Sequence, residues 1–147
     1  MTPDKRNPTD IPCLALTLRQ ASRAVSRIYD EELRGVGLRT TQFSLLRLLR
    51  KSGEIRQRDL GDITVHEETT LSRNLRPLLD AGWVAVRVGK DRREKWLQIT
   101  QSGLAKLKEA RPHWSRAQAR MKALLPDGVW QHLMTVLPDV VRLAGES

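Results

Sequence analysis

The hydrophobic period of this chain changes abruptly near its middle, and that change most constrains the fold. Up to residue 82 the apolar residues recur at helical spacing, and after Thr100 the helical period returns. Between them lie two short runs rich in β-branched and aromatic residues, WVAVRV (83–88) and KWLQIT (95–100), which are typical of strands. Because a lone hairpin is only marginally stable, this one must pack against helices. The sequence therefore predicts a mainly α protein with one small β-hairpin, an α+β fold.

Helices are predicted on both sides of the hairpin. Apolar spacing and Gly or Pro breaks place them at residues 12–34, 40–53, 55–64, 66–82, 101–125 and 127–144. Pro112 is expected to bend the fifth of these helices, and Pro138 to bend the last or end it early. The polar residues 1–11 are predicted to be a disordered N-terminal segment ahead of a single domain that covers 12–147.

The chain is strongly basic. It has 26 Lys and Arg residues against 17 Asp and Glu residues, which gives a formal net charge of +9. Such an excess favours an anionic partner, most often nucleic acid, although a protein that is merely soluble and basic would show it too.

Cysteine usage and hydropathy indicate the cellular compartment of the protein. Cys13 has no second cysteine to pair with, so an intramolecular disulfide is impossible and a reducing cytosol fits. The first ten residues contain no apolar stretch, and no run approaches the ~18 apolar residues of a membrane span. We therefore expect a cytoplasmic protein with no membrane partner.

The helix predicted at 66–82 has two different faces. Leu71, Leu75, Leu78 and Leu79 fall on one face, and Arg73 points almost directly away from them. The outer face is completed by polar side chains and a proline: Thr69, Thr70, Arg76 and Pro77 flank Arg73, with Ser72 and Asn74 at the margins. Hydroxyl, amide and guanidinium groups suit the edges of bases in a major groove, but they also suit an ordinary solvated face.

Two features of this helix oppose the DNA-binding interpretation. Glu67 and Glu68 would repel phosphates, although acids in a first turn favour the helix dipole. Pro77 removes a backbone hydrogen bond and would either kink the helix or end it.

The turn of the hairpin, within VGKDRREKW (88–96), concentrates charge. Gly89 is the expected turn residue, and Lys90, Asp91, Arg92 and Arg93 follow it. A short helix that contains Leu60, a brief turn and the two-faced helix have the layout of a helix-turn-helix, and a basic hairpin directly after them has the layout of a winged helix.

At this point the residues resemble a known family. The segment RQRDLGDITVHEETTLSRNLRPLLDAGWV followed by DRREKWLQITQSG is similar to the MarR family of transcriptional regulators. The wing motif Asp-x-Arg matches at Asp91 and Arg93, and the apolar residue, Thr and Gly after it match at Ile99, Thr100 and Gly103. The resemblance extends from about Leu14 to Leu143 and is loose in the outer helices.

The resemblance implies a winged helix-turn-helix homodimer, usually a repressor, that binds a pseudo-palindromic double-stranded DNA operator. It implies a winged core at about residues 38–100 and dimerisation helices at about 12–34 and 101–144. The apolar content of the C-terminal segment supports association independently, because a monomer has little core left for so many apolar residues. These residues are Leu124, Leu125, Val129, Trp130, Leu133, Met134, Leu137, Val140, Val141 and Leu143.

The resemblance also assigns DNA contacts. The recognition-helix contacts of the family fall on Thr69, Thr70, Ser72 and Arg73, with Asn74 at the margin and Arg76 as a phosphate contact. In the wing, Arg93 would enter a groove, Asp91 would orient it, and Lys90 and Arg92 would add phosphate or minor-groove contacts. The division of labour between Arg92 and Arg93 stays open.

The usual switch in this family is a small molecule, often a phenolic or aromatic acid, bound between the dimerisation helices and the winged helix. Arg23, His113 and Trp114 are candidate lining residues, although a surface charge and a core or interface tryptophan are the simpler interpretations. Some members sense peroxides through one cysteine near the start of the first helix, and Cys13 has about that position. It lacks a neighbouring tyrosine, because Tyr29 is the only tyrosine in the chain.

Other classes of function are less favoured. His66, His113 and His132 lack metal-ligand spacing, and there is no cysteine cluster and no Gly-rich phosphate loop, so neither an enzyme nor a metal or cofactor site is predicted. An RNA-binding or protein-docking winged helix would keep the basic hairpin without needing a dimer. The apolar terminal helices argue against that alternative.

Overall fold

The computed structural model describes residues 12–147, so the segment 1–11 predicted to be disordered lies outside the described residues. The chain forms six helices and three strands in that part. The helices are α1 (Leu14–Leu33), α2 (Thr40–Ser52), α3 (Gln57–Thr64), α4 (Glu68–Asp80), α5 (Gln101–Leu124) and α6 (Val129–Gly145). The strands are β1 (Ile55–Arg56), β2 (Val84–Val88) and β3 (Lys95–Ile99), and a 3-10 turn (Arg34–Val36) follows α1.

The sheet is antiparallel and has the order β1-β3-β2. The predicted hairpin is β2–β3, in which Val86 pairs with Leu97. The sequence analysis missed β1 and assigned Ile55 and Arg56 to the start of a helix. That prediction was wrong because a two-residue strand has no readable period, and only pairing of Ile55 with Leu97 on the hairpin makes it a strand.

The core lies between the helix-turn-helix, the hairpin and the helices next to them. Its fully buried large side chains come from α1, α2, α3, α4 and β3, namely Leu33, Leu45, Leu46, Leu49, Leu60, Leu71, Leu75, Leu78 and Leu97. Three of these leucines belong to the predicted inner face of α4. Their burial turns the opposite face of α4 outward, which is the orientation that a recognition helix needs.

Prolines lie inside three of the helices and end none of them. Pro77, Pro112 and Pro138 are all exposed, and α4, α5 and α6 continue past them to Asp80, Leu124 and Gly145. The alternatives in which Pro77 ends the recognition helix or Pro138 ends the last helix early are therefore wrong. The buried Leu78 directly after Pro77 packs in the core, and that packing offsets the hydrogen bond lost at the proline.

The last helix stands apart from the core. None of the 17 residues of α6 is buried, although most of its side chains are apolar. Met134, Val141 and Leu143 are more than half exposed, at 53%, 52% and 58%, and Leu14 at the start of α1 is 68% exposed. An apolar helix without a buried face is suited to packing against a partner.

Candidate nucleic-acid interface

The outer face of α4 presents the predicted base-reading side chains. Thr69, Ser72, Arg73 and Arg76 are exposed, and Thr70 and Asn74 are half-buried. A shallow groove of about 470 Å³ runs over this face and is lined by Ser72, Arg73, Arg76, Pro77 and Asp80. The Nε of Arg76 lies 3.7 Å from Oδ1 of Asp80, in an exposed pair of little energetic weight. Arg73 makes no ion pair among residues 12–147 that would hold it back from a ligand.

The sequence analysis missed a contact that holds Ser72. Gln57 at the start of α3 donates from Nε2 to the Ser72 hydroxyl oxygen at 3.0 Å. This hydrogen bond ties the first helix of the helix-turn-helix to the second at the surface. The Ser72 oxygen has one lone pair occupied, and its O–H remains able to donate. No sequence pattern signals this pair, because the two residues are 15 positions apart on different helices.

The turn of the wing is held by its own backbone. The N–H of Gly89 donates to the Glu94 carbonyl at 2.7 Å, and the N–H of Glu94 donates to the Asp91 carbonyl at 2.9 Å. The Asp91 carboxylate accepts from the backbone N–H of Arg93 at 3.1 Å. Asp91 therefore positions the main chain of Arg93, whose side chain is exposed together with those of Lys90 and Arg92.

Gly89 is a turn residue, but not because of its backbone angles. The positive-φ glycines of the described chain are Gly37, Gly53, Gly82 and Gly128. A Cβ at Gly89 would lie 2.6 Å from Oε2 of Glu94 and 3.0 Å from Nε1 of Trp96. Gly89 thus lets the turn pack closely against these two side chains, which would have to shift to make room for a Cβ.

A cleft of about 940 Å³ separates the wing from the helix-turn-helix. Its walls carry both signs of charge: Arg56, Arg58, Arg93 and Lys95 are basic, and Asp62, Glu68, Asp91 and Glu94 are acidic. His66 also lines the cleft, and its Nδ1 is buried without a hydrogen-bond partner among residues 12–147. Glu94 forms an ion pair with Arg56 across the cleft at 3.7 Å. Its negative charge therefore repels a polyanion less than that of an unpaired acid.

Arg56 on β1 and Arg87 on β2 flank Trp96 on β3 at the root of the wing, and carboxylates hold their guanidinium groups. The hydrogen bond to Asp59 is the main cause of a raised pKa of Arg56, with Glu94 adding to it. The hydrogen bond to Glu54 is the main cause of a raised pKa of Arg87. Both guanidinium groups therefore have acidic partners next to the wing.

Two of the three candidate effector residues, His113 and Trp114, are neighbours on α5 and contact different groups. The Nδ1 of His113 lies 2.9 Å from the carbonyl oxygen of Glu32, and the Trp114 ring stacks on Phe43 at 6.0 Å. The guanidinium of Arg47, which the sequence analysis did not single out, lies 4.5 Å above the Trp114 ring. Arg23 is exposed on α1, nine residues before Glu32, and is therefore roughly 13 Å away along the helix axis.

Cys13 is exposed and lies at the N-terminal cap of α1. Tyr29 follows on the same helix, roughly 24 Å further along its axis. Burial raises the pKa of the Tyr29 hydroxyl, which donates to the side-chain oxygen of Gln118 on α5. Tyr29 is therefore engaged between α1 and α5 and does not contact Cys13 within this chain.

Within residues 12–147, no group of three or more His, Cys, Asp or Glu side chains is placed to hold a metal ion. Over the same residues, every helix is too short or too polar to span a bilayer.

A helix-turn-helix whose second helix points outward, followed by a basic β-hairpin that completes a three-stranded sheet, defines a winged-helix DNA-binding protein. The model of the MarR family matches residues 36–94, from the end of the first connection to the wing. The chain belongs to the MarR family of transcriptional regulators, and it is a DNA-binding regulator, not an enzyme.

Relatives of known sequence or structure agree with this membership. The transcriptional regulator MosR of M. tuberculosis, solved in complex with DNA, is 34% identical, with 90% of this chain and 96% of that chain covered and a TM-score of 0.79. The HTH-type transcriptional regulator YwoH of Bacillus subtilis is 32% identical over 92 residues, which are 63% of this chain and 67% of YwoH. A mutant MarR from E. coli complexed with operator DNA has a TM-score of 0.74 at 20% identity, covering 86% of this chain and 92% of that chain, and so shares the fold.

Proposed function

We propose that this protein is a homodimeric repressor that binds a pseudo-palindromic operator through paired α4 helices and wings. The observation that carries the proposal is the placement of an outward polar face on α4 beside an exposed basic wing, in a chain whose α6 has no buried residue. Two such reading heads related by a two-fold axis would meet half-sites centred about one DNA turn apart, ~10 bp. A role on DNA also favours the cytoplasm as the place of action.

On α4, we assign base reading to Arg73, Thr69, Thr70 and Ser72, with Asn74 at the margin. Arg76 lies beside them and is assigned to a phosphate. In the wing, Arg93 is assigned to a groove, Lys90 and Arg92 to phosphates, and Asp91 to holding the Arg93 backbone. The exposure of the basic members and the hydrogen bonds at Ser72 and Asp91 support this division.

Replacement of Arg73 with alanine is expected to weaken specific binding by about 1–3 kcal/mol per half-site and to relax preference at one base pair of each half-site, because a bidentate contact to guanine is lost in both. The operator would first be found by selecting bound genomic fragments and footprinting them. Binding of wild type and Arg73→Ala would then be compared on that operator and on random DNA. An equal loss on both DNAs would show that Arg73 touches only phosphate.

Replacement of Arg93 with alanine is expected to weaken binding and to reduce the slope of log Kd against log salt by about two, one for each wing of the proposed dimer. The physical reason is that one fewer phosphate-associated counterion is released when the wing loses a charge. Titrations between low and physiological salt measure the slope, and Arg19→Ala, an exposed arginine on α1, serves as the charge-matched control. An unchanged slope in Arg93→Ala would remove Arg93 from the interface.

We further propose a small aromatic acid as effector, bound near α5. His113 and Trp114 support it, and Arg47 above the Trp114 ring offers the cation that such an acid needs. Arg23 could join this site only from the partner subunit, because its place on α1 keeps it away within one chain. Release of operator DNA by a panel of aromatic acids, compared between wild type and Trp114→Leu, measures the effect. Equal release from both proteins would exclude this site.

Redox control through Cys13 is the second candidate, and the exposure of the thiol is what favours it. Treatment with an organic hydroperoxide should then release the operator from wild type and not from Cys13→Ser. Identical behaviour of the two proteins would end this alternative.

A further inference from the structure

A row of three large side chains crosses the sheet at the root of the wing. Arg56 on β1 and Arg87 on β2 are both register partners of Trp96 on β3, so the three side chains share one face. The guanidinium carbon of Arg87 lies 5.0 Å from the Trp96 ring centroid, and that of Arg56 lies 6.0 Å from it. A cation at such distances is attracted by the face of an indole. The indole therefore links both neighbouring strands to the wing.

Three carboxylates fix the two cations of this row. The Nε of Arg56 donates to Oδ2 of Asp59 on α3 at 2.8 Å, and its Nη1 lies 3.7 Å from Oε1 of Glu94 in the wing. The Nε of Arg87 donates to Oε1 of Glu54, just before β1, at 2.7 Å. Arg56 thus bridges the helix-turn-helix and the wing, and Arg87 ties β2 back to the chain segment before β1.

The turn of the wing is packed onto the same cluster. Glu94 is half-buried, and its Cβ would lie only 3.1 Å from a Cβ at Gly89. The Trp96 indole also lies close, with Nε1 3.0 Å from the same Cβ position, so both side chains pack directly against the turn. Glu94 is also the direct chain neighbour of Arg93, so the position of Glu94 determines where the Arg93 side chain begins.

We propose that Glu94 and Arg56 are positioning residues that set the angle of the wing, and thereby the reach of Arg93 into the DNA groove. The proposal rests on the proposed function, in which Arg93 contacts DNA. It has a distinctive electrostatic consequence. A carboxylate in a DNA-facing cleft ordinarily weakens binding of a polyanion, so removing its charge should strengthen binding. If the carboxylate instead positions a DNA-binding side chain, removing its charge should weaken binding.

The sign of the change in affinity is therefore the test. Glu94→Gln keeps the shape of the side chain and removes its charge, and we expect operator affinity to fall about two- to fivefold, the range that an exposed ion pair supports. The matched control is Glu68→Gln, since Glu68 lines the same cleft and has no ion pair within residues 12–147. Affinity of that variant should be equal or higher. Tighter binding by Glu94→Gln would overturn the proposal.

A double-substitution cycle shows whether Glu94 acts through Arg93. In the Arg93→Ala background, Glu94→Gln should have little further effect, because the contact that it positions is gone. An equal loss in both backgrounds would show a role independent of Arg93 and would contradict the proposal. If Arg93→Ala alone leaves affinity unchanged, the proposed wing contact itself fails, which is a different outcome from tighter binding by Glu94→Gln.

Arg56→Lys provides a second, independent variant. Lysine keeps the charge but lacks the planar fork with which Arg56 meets Asp59 and Glu94 together. We expect affinity to fall as in Glu94→Gln, with an unchanged thermal unfolding midpoint as the check on folding. Full affinity in Arg56→Lys would mean that only the charge matters, as for a phosphate contact, and would overturn the positioning role.

Discussion

Replacement of Gly103 with alanine is expected to destabilise the fold by about 3 kcal/mol, the upper end of the usual cost of overpacking. A Cβ at Gly103 would lie 2.1 Å from the carbonyl oxygen of Trp83 and 2.7 Å from Cγ1 of Ile99. The first obstacle is backbone, which cannot rotate away as a side chain can. It is also held, because the same Trp83 carbonyl accepts from the N–H of Thr100 at 3.0 Å.

The clash falls where the wing joins α5. Thr100 caps α5 by accepting from the N–H of Gly103 at 3.0 Å, and its hydroxyl donates to the carbonyl of Gly82 at 2.7 Å. Moving Gly103 therefore breaks a cap and the connection to β2 together. This close approach gives a physical reason for the glycine that follows the wing motif.

Thermal unfolding at fixed protein concentration measures this effect. For a domain of this size, a loss of about 3 kcal/mol lowers the unfolding midpoint by roughly 6–12 °C. Gly61→Ala is the matched control, since Gly61 is also a buried helical glycine, and its Cβ would meet no atom closer than 3.5 Å. That variant should be as stable as wild type or slightly more stable. A Gly103→Ala protein as stable as Gly61→Ala would contradict the packing argument.

The combined substitution of Met134 and Val141 with aspartate is expected to convert the proposed dimer into a monomer and to reduce operator affinity roughly a hundredfold, the low end of what bivalent binding contributes. These residues are seven positions apart and lie on one face of α6, where they are 53% and 52% exposed. Buried charge without a partner would make the proposed α6 interface unstable.

Light scattering after size exclusion measures the mass, which should fall to that of one 16.8 kDa chain. Ile63→Asp is the control, because Ile63 on α3 is 51% exposed and lies outside the proposed dimerisation helices. It should leave the mass unchanged. A doubly substituted protein that remains dimeric would place the interface elsewhere, and a monomer with full operator affinity would exclude the two-fold mode of binding.

Several features could be predicted because short-range patterns carry them. The inner and outer faces of α4 follow from leucine spacing, and burial of Leu71, Leu75 and Leu78 confirms them. The hairpin follows from two β-branched runs around a charged turn, and β2 and β3 confirm it. The fold class was confirmed as well, with a third strand added.

Other features could not be predicted because their partners are distant in sequence. Strand β1 exists through its pairing with β3, about 40 residues later. Gly89 was expected only as a turn residue, and its close packing against the side chains of Glu94 and Trp96 appeared only in the folded chain. Gln57 became part of the candidate site only through its hydrogen bond to Ser72.

The sequence by itself determined the alternation of helix and hairpin, the apolar inner face of α4 and the surplus of positive charge, because periodicity, propensity and composition are local properties. Only the tertiary structure decided that the acids of the wing root are partners of Arg56 and Arg87 and that Arg93 starts from a braced turn. The reason is that an unpaired carboxylate weakens DNA binding, whereas one that pairs with a cation can hold a DNA-binding side chain in place. Which of the two applies depends on strands that only folding brings together.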